Sequence, residues 1–76
     1  MDDKERLKIV IMQMIEHNKI HLEKYEKWAG FAKAHQLVDA GIFLDDAGKL
    51  SAKVNTVLEQ TLNYLLLQNH VNTEKG

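Results

Sequence analysis

Cysteine is missing from all 76 residues, which excludes disulfides and thiolate metal sites and suits a reducing compartment. Proline is missing too, and glycine is scarce, with one of its four copies at the terminal position 76; helix breakers are therefore nearly absent. No charge of one sign dominates: ten Lys and Arg stand against eleven Asp and Glu, for a formal net charge of −1. No stretch is a basic run, which argues against nucleic acid as the main partner, because that affinity comes largely from clustered Lys and Arg. Long apolar runs are missing as well. Residues 9–12 and 64–67 are far too short to span a bilayer, so no membrane role is expected. The opening Met1-Asp2-Asp3-Lys4-Glu5-Arg6 is charged, unlike a signal peptide. Together these absences predict a cytoplasmic protein of one small domain over residues 1–76.

A chain this short buries a small fraction of its surface and usually needs disulfides, a metal or a partner chain. With disulfides excluded, a metal or a partner remains. Four imidazoles are available as ligands: His17, His21, His35 and His70.

What is present is helical periodicity. Asp2 followed by Glu5 is an Asp variant of the capping box. From there Leu7, Val10, Met14, His17, His21, Trp28, Phe31 and His35 recur by threes, fours and one seven, so they share one helical face. This predicts a helix over about 3–35. Leu37, Ala40, Leu44, Ala47, Ser51, Val54, Leu58, Thr61, Leu65 and Gln68 keep the same rhythm through Gly41 and Gly48. They predict a second helix over about 39–69, capped by Asp39, with a disordered tail over about 70–76. Two competitors concern residues 42–50. A β-hairpin turning at 46–48 would leave two short strands, which alone are marginal. A calcium loop would put Phe43 at its first ligand position and Val54 at its last, where oxygens are required, and is rejected.

The expected fold is all-α: two long antiparallel helices, a helical hairpin, dimerising into a four-helix bundle. With a turn near Leu37, His17 is expected level with about Val57, His21 with about Lys53, and Trp28 near Gly48. At the open end apolar residues run most of the way round both helices, more than one helix-on-helix stripe covers. The excess predicts a homodimer interface that includes Ile9, Met12, Ile15, Leu62 and Leu66; any other protein partner is unknown.

Chemistry-bearing residues concentrate in Glu16-His17-Asn18-x-x-His21. The i,i+4 histidines project from one face one turn apart, a spacing that suits one metal ion. Asn18 occupies the place of the glutamate in the His-Glu-x-x-His peptidase motif, so no general base is in place. Two readings stand. In the first, His17, His21, Asn18 and Asn55 form a buried hydrogen-bonded layer that fixes register. In the second, His17 and His21 hold nickel, cobalt or zinc, among which imidazole does not choose, with Glu16, Gln13, Asn55, Glu59 or a second subunit completing the site. No catalytic triad, phosphate loop or paired-carboxylate site is discernible, so no enzyme is expected.

The run Ile15-Glu16-His17-Asn18-Lys19-Ile20-His21, followed by Tyr25 and Trp28-Ala29, resembles the signature of a small uncharacterised prokaryotic all-helical domain. That signature reads Trp-Ile-Glu-His-Asn-x-x-His, then an aromatic and Trp-Ala, with a second amphipathic helix carrying an internal asparagine that Asn55 would match. This chain has Met14 in place of the tryptophan. It has Gln13 where members often carry a further histidine, so a three-histidine site would lack a ligand here. The resemblance implies the two-helix fold and assigns no role.

Overall fold

The structure, a computed structural model, describes residues 2–67 with their side chains and carries the second helix to Lys75. Helix α1 spans Asp3–Ala34 and α2 spans Val38–Lys75, an all-α hairpin. The tail expected over 70–76, with His70, lies outside the fully described residues. The stretch 42–50 is helical throughout, so the β-hairpin alternative does not form. No helix among the described residues is long and apolar enough to cross a membrane.

Local chemistry sets the ends of α1. The Asp2 carboxylate accepts a hydrogen bond from the Glu5 N–H at 2.8 Å, satisfying one of the orphan donors of the first turn. At the other end Gln36 adopts φ 65°, and the Leu37 N–H donates back to the Ala32 carbonyl at 2.8 Å while the Gln36 N–H donates to Lys33 at 3.3 Å. These are the two bonds of a Schellman motif, with glutamine in the left-handed position that glycine usually takes. The chain reverses within three residues, which forces the helices to pack antiparallel. Because α2 starts at Val38, Asp39 lies in its first turn, where a carboxylate suits the helix dipole.

The helices meet along an inner seam of strict three-four spacing. In α1 it comprises Lys4, Lys8, Ile11, Ile15, Asn18, Leu22, Tyr25, Ala29 and Ala32, all buried or half-buried. In α2 it comprises Gly41, Leu44, Gly48, Ser51, Asn55, Leu58, Leu62 and Leu65. Ile11, Ile15 and Leu65 form the apolar core toward the open end, with Leu58 and Leu62 packed against them. Toward the turn the seam is built of small residues. Ala29 and Ala32 are 1% and 4% exposed, and a Cβ on Gly41 would lie 3.1 Å from the Ala29 carbonyl oxygen. Removing side-chain bulk lets the two backbones approach closely there.

This seam corrects the sequence reading. In α1 the expected stripe lies one residue before the inner seam at every step: Leu7 for Lys8, Val10 for Ile11, Met14 for Ile15, His17 for Asn18, His21 for Leu22, Trp28 for Ala29, Phe31 for Ala32. One residue is about 100° around a helix, so these side chains are exposed. In α2, Leu44, Ser51, Leu58 and Leu65 belong to the inner seam as expected, whereas Ala47, Val54 and Thr61 give way to Gly48, Asn55 and Leu62. Gly48 faces Leu22 and Tyr25, and Trp28, expected near it, is exposed.

Candidate functional site

At mid-hairpin the inner seam turns polar. The Asn18 Nδ2 group donates to the Ser51 carbonyl at 2.7 Å and to Asn55 Oδ1 at 3.0 Å. The Ser51 hydroxyl donates to Asn18 Oδ1 at 2.8 Å, and Asn55 Nδ2 donates to the Ile15 carbonyl at 3.3 Å. Ser51 and Asn55 are buried, and among the described residues no buried side-chain N or O lacks a partner. The sequence reading brought Asn18 and Asn55 into one layer and did not include Ser51. The available signal was its position, one turn before Asn55 on the same seam.

His17 and His21 stand outside this layer and are exposed, a correction to the expectation that they face the core. Their Nε2 atoms lie 3.1 Å apart, with ring centroids 4.6 Å apart and planes at 82°. Glu16 is exposed and points to Lys19, with 3.8 Å between the charged atoms. Among the described residues no three His, Asp or Glu side chains are grouped to hold a metal ion.

The two faces of the hairpin differ. Lys33 pairs with Asp45, and a shallow depression runs between Glu26 and Asp45, Lys49 and Ala52. Positions one residue after the inner seam thus share one face, and that face is rich in charge. Positions one residue before the inner seam must share the opposite face, and they form an outer seam. From α1 it displays Leu7, Val10, Met14, the histidine pair, Trp28 and Phe31; from α2, Phe43, Leu50, Val54, Val57 and Tyr64. All are exposed, with Phe43 at 71% and Leu50 at 64%. Near the turn this face carries an aromatic ladder. Trp28 meets Phe31 edge-on at 5.2 Å, Phe31 stacks on His35 at 4.1 Å, and His35 Nδ1 lies 2.9 Å from the Phe31 carbonyl oxygen. Of the residues expected at a dimer interface, Ile15 and Leu62 are used inside the hairpin. Ile9, Met12 and Leu66 are exposed, each one position after the inner seam, on the charged side.

A family model described as a domain of unknown function (DUF8180) matches residues 7–65. The chain belongs to the DUF8180 family. The match begins at the first outer-seam leucine and ends at the last core leucine, so the polar layer, the histidine pair and most of both seams fall within the DUF8180 domain. No curated protein and no solved structure matches this DUF8180 chain.

Proposed function

We propose that this chain is a homodimeric interaction module without chemistry of its own, in which two hairpins pack outer seam against outer seam as a four-helix bundle. The observation that carries this reading is the second apolar seam, set about 100° from the first on both helices. A helix touching one neighbour needs one seam; a helix in a square bundle touches two neighbours roughly at right angles. The hairpin supplies both seams in register. Its extents of 61 × 19 × 11 Å describe a layer one helix thick. One face of such a layer is large enough for the roughly 800 Å² per partner of a standard interface. Between Leu7 and Tyr64 the outer seam carries one formal charge, Lys24. Lys27, over the Trp28 ring, and Lys53, beside Leu50 and Val54, lie at its margin, so the seam itself is apolar and is complementary to a second copy of itself. Sedimentation equilibrium at micromolar concentration, with and without zinc, tests this: the expected mass is twice the 8.7 kDa of the chain, and a monomer under both conditions overturns it.

A second reading, transition-metal binding through His17 and His21, has one observation in its favour. In tetrahedral geometry, metal–imidazole bonds of about 2.0–2.1 Å place two ligand nitrogens about 3.3 Å apart. The Nε2 atoms of this pair are 3.1 Å apart.

A further inference from the structure

We propose that His17 and His21 from two copies of the chain together hold one divalent transition ion at the centre of the bundle, an inference that rests on the dimer proposed above. Three observations converge on it. The first is the Nε2 separation of 3.1 Å across rings set edge-on, the approach that two imidazoles make when they share an ion. The second is position. Both histidines lie on the outer seam between Met14 and Trp28, so a second hairpin that covers this face also removes water from both rings. Within the hairpin their polar contact is with one another, and a buried polar group needs a partner for each of its hydrogen-bonding atoms. The third is level. The midpoint of Asp3–Ala34 falls between Asn18 and Lys19, within the His17–His21 turn. A two-fold axis that overlaps two α1 helices along their full length crosses them at this turn, and brings the second histidine pair to the first.

The single hairpin supplies two ligands and no more. Glu16 is turned to Lys19, and the remaining imidazole described, His35, is stacked on Phe31 near the turn. The site is therefore incomplete without the second copy. Four neutral imidazoles suit zinc, cobalt and nickel, and give carboxylate-preferring calcium and magnesium no oxygen ligands.

The experiment uses the full chain, free of any histidine tag and stripped with chelator. Zinc is titrated by calorimetry, cobalt by visible absorption, and sedimentation equilibrium is run with and without metal. One zinc per two chains, with cobalt bands of a four-coordinate site, is the expected result; a chain that dimerises only when metal is added supports the proposal equally. His17→Gln with His21→Gln should keep its helix content by circular dichroism, because both side chains are exposed in the hairpin. It should lose at least about tenfold in zinc affinity, the scale that changes even in outer-shell partners reach. A dimer that binds no metal, binds one ion per chain, or binds equally well in the double variant overturns the metal site and leaves the dimer standing. A monomer at every metal concentration overturns both.

Discussion

Asn18 on α1 and Asn55 on α2, separated by 37 positions in sequence, are joined by a 3.0 Å hydrogen bond in the middle of the inner seam, between its small-residue end and the Ile11, Ile15 and Leu65 core. The bond forms in one register: sliding either helix by a turn would set an asparagine against leucine or glycine and leave its amide unpaired. A single polar layer of this kind specifies alignment at some cost in stability.

Asn18→Leu should therefore destabilise the hairpin by about 1–3 kcal/mol, since Asn55 and the Ser51 hydroxyl would each lose a partner while remaining buried. Asn55→Leu should cost a similar amount. The two residues share a network, so the double variant should cost less than the two single variants added together. Chemical denaturation at fixed protein concentration measures all three. Additive costs would mean that the two amides act independently.

The glycines separate helix propensity from packing. Gly30 is exposed, and an added Cβ meets nothing within 4 Å. Gly30→Ala should stabilise the protein by up to about 1 kcal/mol, the propensity difference between the two residues. At Gly41 the same change brings Cβ to 3.1 Å from the Ala29 carbonyl oxygen, with the Lys33 side chain closer still, so packing loss should cancel or exceed the propensity gain. Melting temperatures of the two variants should move apart. Equal upward shifts would show that the helices do not approach closely at Gly41.

Val54→Glu places a carboxylate on the outer seam of α2, and should dissociate the dimer while leaving a helical hairpin. Ile9→Glu places one on the charged face, where Lys33, Glu26 and Lys49 already lie, and should leave association unchanged within about threefold, the effect of an ordinary surface change of about 0.5 kcal/mol. Sedimentation of the two variants at equal concentration distinguishes the faces. If Ile9→Glu is the one that dissociates, the interface lies on the opposite side of the layer.

Much of the fold was legible because spacing encodes it. A chain nearly free of breakers, an Asp2 cap and unbroken three-four rhythms define two helices and a tight reversal. Which face of α1 turns inward was not legible. Two seams one residue apart have the same period, and hydrophobicity ranks the wrong one first: Leu7, Met14, Trp28 and Phe31 outweigh Lys8, Asn18, Ala29 and Ala32. The inner seam near the turn favours small residues because the backbones approach closely, and it tolerates Lys4 and Lys8 near the open end because long stems can lie across the helix margin. In α2 the alternation of Leu44, Ser51, Leu58 and Leu65 is common to both readings. There, taking Val54 for the neighbouring Asn55 carried the error. The site was legible to the same degree: the Asn18–Asn55 contact follows from antiparallel register, whereas the one-residue displacement moved His17 and His21 from the core to the outer face.

The histidine pair gives the sharpest test of what the outer seam does. In His17→Leu with His21→Leu the seam of α1 becomes apolar from Leu7 to Phe31 except at Lys24. Each leucine buried at an interface adds roughly 1.5–3 kcal/mol of apolar stabilisation over an exposed one. In metal-free buffer the double variant should thus self-associate more tightly than wild type, by at least about tenfold, and added zinc should change neither its mass nor its melting temperature. Wild type should gain stability with zinc, because an ion bound only to the folded pair shifts unfolding by mass action. Sedimentation equilibrium and thermal melts with and without zinc read both effects. A double variant that falls apart in metal-free buffer would show that the imidazoles join the chains by direct contacts, and the apolar account of the interface would fail.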